Sequence, residues 1–204
     1  REVLYEQRRR ILGNDSLRDT ITEMIDKLVT EAVDAYADEK LYPEEWDYEG
    51  LHKHLSQYFL TSEIMSTEEM EEYTRQELDE RLHEIAHSEY QDRVDLLGDA
   101  MFSQLEKAIM LRVVDSKWME HLDNMDMLRE GIGLRAYGQK NPLVEYKFEA
   151  YDMFQHMIES IQDETIMALY KIRAQLIQEI EEPVDHLEGA QPHHEDVLEP
   201  QNID

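Results

Sequence analysis

Two histidines at helical spacing are the residues of this chain whose pattern is most typical of catalysis. His83 and His87 form an H-E-x-x-H sequence with Glu84. On an α-helix this spacing places both imidazoles on one face, where they can bind zinc while the carboxylate acts as a base. The neighbouring residues 80–84 are mostly charged and offer no apolar wall for a dry cleft. We therefore interpret His83 and His87 as incidental polar residues of a solvated helix face, with a zinc metalloprotease as a remote alternative.

A second set of polar residues lies in segment 134–142, which reads LRAYGQKNP. In a very acidic chain, this glycine-containing loop carries an aromatic ring, two cations and an amide, whereas a simple connector needs only turn residues. One interpretation is that Tyr137, Arg135, Gln139 and Lys140 contact a substrate. The other is that Arg135 and Lys140 cap helix ends while Tyr137 packs back on the helices. Composition alone leaves both interpretations open.

The charge of the chain argues against nucleic acid as a partner. The sequence has 48 acidic and 20 basic residues, which gives a formal net charge of −28 at pH 7. Such a surface repels phosphate backbones and anionic headgroups, so a broad nucleic-acid interface is not expected. The absence of Cys excludes a disulfide framework, a thiol nucleophile and a Cys-based zinc site, and it suits the cytoplasm.

The sequence predicts no enzyme activity for the chain alone. It contains no G-x-x-x-x-G-K-[ST] motif, no G-x-G-x-x-G motif and no G-x-S-x-G motif, so we assign neither a phosphate cradle nor a nucleophile elbow. We predict no cofactor and no metal site. The chain begins Arg1-Glu2-Val3, without a start Met or a signal-peptide pattern, and we expect it to be a piece of a larger protein.

Glycine and proline divide the chain into helical segments. Breaks are predicted at Pro43 and Gly50, at Gly98, and in the region from Gly131 to Pro142. Before the first break, apolar residues from Leu17 to Tyr36 step by three and four and predict one long helix. Within the segment from 43 to 97, shorter helices are expected around 48–59 and 67–90, the second capped at Ser66 or Thr67.

Segments 99–132 and 143–180 each predict a long amphipathic helix. The short connection between them turns the chain back, which predicts an antiparallel helical hairpin with an exposed tip. The apolar stripe of its first arm comprises Met101, Leu105, Ala108, Leu111, Val114, Trp118, Leu122, Met125, Leu128 and Ile132. The predicted fold is therefore all-α: a long helix, a small helical insertion, a hairpin, and a disordered acidic tail over 181–204.

Several stretches around the hairpin resemble the C-terminal helical part of the SecA family, the ATPase motors of bacterial preprotein translocation. They are VVDSKWMEHL at 113–122, MDMLREGI at 125–132, LRAYGQKNP at 134–142 and EYKFEA at 145–150. The opening residues 1–12 are similar to the start of that family's long scaffold helix. The resemblance covers residues 1 to about 180 and is least tight in the insertion.

This resemblance implies a division into domains. Residues 1–42 and 98–180 would form the helical scaffold domain, 43–97 the helical wing domain, and 181–204 an acidic linker or tail. The hairpin would be the family's two-helix finger, with Tyr137 at the loop tip that meets the translocating polypeptide. The hairpin core and domain interface would include Trp118, Leu122, Met125 and Leu128.

The family also implies a function for the chain. It would be a lever that couples motions of ATPase domains to preprotein movement through the SecYEG channel, at the inner face of the bacterial plasma membrane. Its partners would be the preprotein, SecYEG, and the nucleotide-binding and preprotein-crosslinking domains, while pairing with a second copy is left open. ATP with magnesium would be bound elsewhere in the motor. The alternative is a stand-alone acidic helical adaptor or chaperone-like peptide binder.

Overall fold

The structure is a computed structural model that describes residues 9, 11, 13, 17–135 and 141–181. Six α-helices and one 3₁₀ turn account for most of these residues, and the described part contains no strand. The all-α prediction is confirmed for this part, while the predicted acidic tail lies outside it. By its contacts the chain divides into two compact units, Arg1–Arg173 and Ala174–Asp204. In the second unit only the helical backbone of 174–181 is described.

The helices follow the breaks in the sequence closely. Their bounds are α1 Arg18–Tyr36, α2 Tyr48–Leu55, α3 Thr67–Met70, α4 Arg75–Leu97, α5 Asp99–Arg135 and α6 Pro142–Glu181, with the 3₁₀ turn at Pro43–Glu45. Ser66 caps α3 as predicted, since its side chain accepts a hydrogen bond from the Glu69 N–H. None of the described helices is both long enough and apolar enough to span a membrane.

A reciprocal cap divides the helix predicted over 67–90. The Thr74 hydroxyl accepts a hydrogen bond from the Glu77 N–H at 3.3 Å, and the Glu77 carboxylate accepts one from the Thr74 N–H at 2.9 Å. This capping box satisfies two amides at a new helix start. The chain consequently turns after α3 and begins α4 at Arg75, and α4 continues to Leu97.

The core forms where α1, α2 and α4 meet. Helix α1 buries one face, which consists of Ile21, Ile25, Leu28, Val29, Ala32 and Val33. Helix α4 packs against this face with Leu78, Leu82, Ile85 and Ala86, all buried. The turn after α2 adds Phe59, whose ring lies 5.4 Å from that of Tyr170 on α6. Residues of the predicted wing thus share a core with α1 and α6, while the domain boundaries at 42 and 97 stay a prediction.

Helices α5 and α6 run antiparallel, as the hairpin prediction requires. Lys117 forms an ion pair with Glu164, and the rings of His121 and Phe154 lie 6.0 Å apart. Residues further along α5 therefore meet residues earlier in α6. The region of Gly131 and Gly133, predicted as a break, is instead helical up to Arg135. A helix tolerates a glycine when its neighbours, here Leu128 to Glu130, favour helix formation.

The buried face of α5 follows the predicted apolar stripe only in part, at Val114 and Leu128. Met101 is 63% exposed, whereas Phe102 is fully buried. The buried positions are Phe102, Glu106, Met110, Val113, Val114, His121 and Leu128. The predicted stripe consists of apolar residues only, whereas two polar residues, Glu106 and His121, are among the buried positions of α5.

Gly98 and Gly131 form a matched pair for a stability test. Gly98 has φ 81°, which strongly favours glycine, and a Cβ at either glycine would meet nothing within 4 Å. We expect Gly98→Ala to lower the free energy of unfolding by about 1–3 kcal/mol through backbone strain alone. Gly131→Ala should raise it by about 0.5–1 kcal/mol, because alanine loses less entropy in a helix. Chemical denaturation of both variants measures the free energies of unfolding. Equal effects would contradict a strained backbone position at Gly98 and a helical one at Gly131.

Candidate functional site

The hairpin is the part of the fold that carries the predicted site. Trp118 is half-buried and its ring lies 5.7 Å from that of His121. Leu128 is buried and Met125 half-buried, while Leu122 is 38% exposed. Their assignment to a domain interface stays a prediction.

The predicted substrate contacts at the tip fall almost wholly outside the described residues. Tyr137, Gln139 and Lys140 are among the undescribed residues, and of Arg135 only the backbone is described, as the last residue of α5. What the structure shows is how this loop is held. Helix α5 ends before the loop, at Arg135. After the loop, the Asn141 side chain accepts a hydrogen bond from the Leu143 N–H at 3.0 Å at the start of α6.

Large apolar side chains are exposed beside the tip. Leu143, Phe148 and Tyr151, in the first turns of α6, are 61%, 67% and 62% exposed. On α5, Met119 and Met127 are 59% and 63% exposed. Large exposed apolar residues can provide contact area for another polypeptide. The hairpin therefore offers apolar contact area in addition to its loop.

A groove of about 250 Å³ lies between the two arms of the hairpin. It is lined by Lys117, Glu120, His121, Asn124, Met153, His156, Met157 and Ser160. His121 forms part of its wall and is 9% exposed, and burial lowers the pKa of this imidazole. The Lys117 ammonium, which forms ion pairs with Glu164 and Glu120, has a raised pKa because hydrogen bonding to Glu164 favours its charge.

A buried carboxylate, which sequence reasoning missed, joins three helices. Glu106 on α5 is fully buried and accepts hydrogen bonds from Tyr90 on α4 and from Arg18 on α1, the latter at 3.0 Å. Burial, together with the hydrogen bond to Glu106, raises the pKa of the Tyr90 hydroxyl well above its ordinary value. Burial lowers the pKa of Arg18, but Tyr90, Glu106 and Asp99 outweigh it and raise that pKa overall.

A second polar contact fastens α6 to α4. The Arg93 Nε atom donates to the carbonyl oxygen of Tyr170 at 2.8 Å, and its guanidinium lies 5.0 Å from the centre of the Tyr170 ring. In return, the Tyr170 hydroxyl donates to the carbonyl oxygen of Ala86 at 2.8 Å. Arg93 and Tyr170 are both buried. Since α6 is one arm of the hairpin, this contact fixes the base of that arm.

His83 and His87 serve the packing of α4 on α1. His87 Nε2 lies 2.6 Å from the Asp26 carboxylate, and His83 Nε2 lies 3.2 Å from the Asp26 carbonyl oxygen. His83 Nδ1 lies 2.8 Å from the carbonyl oxygen of Asp79. Within the described residues, no group of three or more His, Cys, Asp or Glu side chains could hold a metal ion. Both His83 nitrogens thus lie near backbone oxygens, and the interpretation of this pair as incidental to catalysis stays a prediction.

Comparison with protein-family models matches residues 1–173 to the SecA wing and scaffold domain. The chain belongs to this family. The match covers all of α1 to α5 and most of α6, and so includes the hairpin and its loop. The resemblance drawn from the sequence is thereby confirmed.

Relatives of the chain carry the name protein translocase subunit SecA. The relative from Pelotomaculum thermopropionicum is 48% identical over 172 residues, which are 84% of this chain and 19% of the relative. The relative from Desulforudis audaxviator is 46% identical over 181 residues, 85% of this chain and 20% of the relative. That from Desulforamulus reducens is 42% identical over 198 residues, 94% of this chain and 23% of the relative. The chain thus spans about a fifth of the length of these relatives.

The role of His87 as a helix contact can be tested through its partner. Asp26→Ala removes the acceptor of this contact, and we expect the free energy of unfolding to fall by about 1 kcal/mol. Glu23→Ala, which removes an exposed carboxylate from the same helix, is the matched control and should have a smaller effect. A melting temperature that Zn²⁺ raised in the wild type but not in His83→Ala would instead indicate a metal site.

The lowered pKa of His121 predicts a pH-dependent stability. Because the folded-state pKa lies below the unfolded value of about 6.5, the unfolded chain binds the proton first as the pH falls, and the free energy of unfolding decreases. The His121→Phe variant lacks this contribution. Its free energy of unfolding relative to the wild type should therefore increase as the pH is lowered from 7.5 to 5.5, about one unit to either side of that value. Denaturant titrations at several pH values measure the difference.

The control for this experiment is His156→Phe, since the His156 side chain is 80% exposed. It makes the same exchange at an exposed position and so measures the effect of the substitution itself. If both variants showed the same pH dependence, burial of His121 would not be the cause.

Proposed function

We propose that this chain is the scaffold and lever of a SecA-type protein translocase, and that it contacts the preprotein at the tip of the α5–α6 hairpin. The observation that carries the proposal is the family match over residues 1–173, combined with an antiparallel helix pair that holds the segment 134–142 at one end. The names of the relatives, protein translocase subunit SecA, support a role in protein translocation.

The physical basis of a lever is stiffness, and the hairpin provides it. Helix α5 has 37 residues, so at 1.5 Å per residue it is about 55 Å long. The ion pair between Lys117 and Glu164 and the ring contact between His121 and Phe154 tie the two arms together. At the base, Arg93 holds α6 on α4 through Tyr170. A displacement of the base would therefore be passed along the paired parts of α5 and α6.

The energy for such movement would come from outside this chain. A nucleotide phosphate is commonly held by a glycine-rich loop between a strand and a helix, and the described residues include no strand to start such a loop. The described residues therefore offer no such loop for ATP or its magnesium ion. We propose that ATP is bound and hydrolysed by other regions of a longer protein, and that the chain alone is not an enzyme.

The proposed partners follow from the same function. They are the preprotein, the SecYEG channel that it enters, and the nucleotide-binding and preprotein-crosslinking domains of the longer protein. The proposed location is the cytoplasm and the inner face of the bacterial plasma membrane, with peripheral attachment. A homodimer is compatible with this proposal but is not required by it.

A second candidate function is a chaperone-like peptide binder that acts on its own. The exposed side chains of Leu143, Phe148 and Tyr151 favour it, because they offer an apolar surface without help from other domains. An NMR titration of the chain with a mature-region preprotein peptide separates the two. Saturable shifts in the amides of 143–151 would support autonomous binding. Unchanged spectra of the folded chain would mean that the grip requires the longer protein.

The role of the tip is tested by Tyr137→Ala in the full-length translocase. We expect the translocation rate to fall about tenfold, which corresponds to about 1.4 kcal/mol, because an aromatic side chain grips varied peptide segments through its large amphipathic ring. Crosslinking from the tip to a translocating preprotein should decrease in parallel. Tyr137→Phe retains the ring and should retain most of the rate.

Charge changes at the same loop provide the matched control. Lys140→Gln and Arg135→Gln keep a polar, though shorter, side chain and remove a cation, and their effects should be smaller than that of Tyr137→Ala. If Tyr137→Ala left both the rate and the crosslinks unchanged, the tip would have no part in moving the preprotein.

A further inference from the structure

Helices α4 and α5 are joined by a single residue, Gly98. Its φ of 81° and ψ of 147° differ from helical values, so the chain changes direction there. The Gly98 N–H donates to the carbonyl oxygen of Val94 at 2.8 Å and closes α4, while the Gly98 carbonyl oxygen accepts from the Phe102 N–H at 3.0 Å at the start of α5. Only one pair of backbone angles therefore separates α4 from α5, the first arm of the hairpin. We call this joint the elbow.

Side chains on both helices meet across the elbow. Tyr90 on α4 and Phe102 on α5 pack edge to face with their ring centres 5.6 Å apart. The Tyr90 hydroxyl also donates to Glu106, which is fully buried two turns into α5. Because glycine itself imposes little resistance to a change of angle, these contacts are what can fix the angle of the elbow.

Arg18 lies on α1 and contacts residues of both α4 and α5 at the elbow. Its Nη2 atom donates to Asp99 at 3.1 Å and its Nε atom to Glu106 at 3.0 Å. Its guanidinium carbon lies 5.6 Å from the centre of the Tyr90 ring and 5.9 Å from that of Phe102. One planar cation thus pairs with two carboxylates of α5 and lies over an aromatic ring from each helix, which suits a guanidinium far better than an ammonium.

Glu106 depends on this arrangement. Its Oε2 atom is buried and has no hydrogen-bond partner within the described part of the chain, so its charge is compensated through Oε1 by Arg18 and Tyr90. A buried carboxylate that loses its cation is strongly destabilised. The elbow therefore cannot open away from α1 without separating the Glu106 carboxylate from its cation, which favours one angle over others.

We propose that Arg18 is a positioning residue that sets the angle between α4 and α5, so that a displacement of α1 is passed to the hairpin through the elbow. The use of this coupling to move a preprotein rests on the function proposed above. The coupling itself rests only on the contacts of Arg18, Tyr90, Phe102 and Glu106. It assigns a mechanical role to a charged residue that lies far from the hairpin tip in the sequence.

Distances between spin labels on α4 and α5 test this proposal in the full chain. The sequence contains no Cys, so Ser88→Cys on α4 and Ser116→Cys on α5, both exposed positions, can be labelled without background. Pulsed electron paramagnetic resonance should give one narrow distance distribution. Arg18→Met should broaden or shift this distribution while the helix content stays unchanged by circular dichroism. Arg18→Lys should restore it in part, because one cationic contact remains.

The matched control is Arg81→Met, which removes the same kind of side chain from an exposed ion pair with Glu84 on α4. Its distance distribution should equal that of the wild type. Should Arg18→Met fail to fold, Tyr90→Phe provides a milder change, since it keeps the ring and removes only the hydrogen bond to Glu106; it too should broaden the distribution. Distances unchanged in both variants, even with reduced stability, would show that Arg18 is a structural contact only and would overturn the proposal.

The outcome is separable from that of the tip experiment. The label distances are measured without translocation. If Tyr137→Ala had no effect, the proposed function of the tip would be wrong, but the result for the elbow would still hold. Conversely, an elbow insensitive to Arg18 removes the coupling route while the tip can still contact the preprotein.

Discussion

The arrangement of the helices depends on the apolar face of α1, which must be covered. Ile21, Ile25 and Val29 are almost completely buried, and removal of such side chains from water is the largest favourable contribution to folding. Helices α4 and α2 both pack against α1. The core formed by α1, α2 and α4 is therefore the base on which α5 and α6 are positioned.

Hydrogen bonds of buried polar groups fix how α5 and α6 are oriented on this base. Apolar packing is not directional, and helices could slide or rotate against one another at small cost. The hydrogen bonds of Arg18 with Glu106, and of Arg93 with Tyr170, are directional, and each leaves a buried group unpaired if the helices shift. One fixes the start of α5 and the other fixes α6. Both arms of the hairpin thus receive their position from an arginine on another helix.

Local patterns in the sequence were sufficient for most helices and for the hairpin. The periodicity of α1, the hydroxyl cap at Ser66 and the break at Gly98 reflect interactions within a few residues, which the sequence shows directly. The helical continuation through Gly131 and Gly133 was not predicted, because propensity penalises each glycine although neighbouring residues outweigh it. The separation of α3 from α4 at Thr74 was missed in spite of a capping-box pattern that signals it.

The polar contacts between helices could not be read in the same way. Arg18 and Glu106 are 88 positions apart, as Arg93 and Tyr170 are 77 apart, and charged residues in an acidic chain are ordinarily taken as exposed. One signal was present, since Glu106 stands four residues from both Phe102 and Met110 and so occupies an apolar register. For the candidate site at Tyr137, the sequence and the family resemblance supply the assignment, because the described residues end at Arg135 and resume at Asn141.

The single-residue joint at Gly98 has a geometric consequence for the hairpin. Helix α5 begins immediately after this joint and extends for 37 residues, so the joint lies at one end of a rigid arm about 55 Å long. A rotation of about 5° there displaces the far end by about 5 Å, roughly the pitch of one helical turn or the length of one to two residues of an extended chain. In the proposed lever, angular changes small enough to preserve side-chain packing at the base would thereby be amplified into a step on the scale of the polypeptide itself.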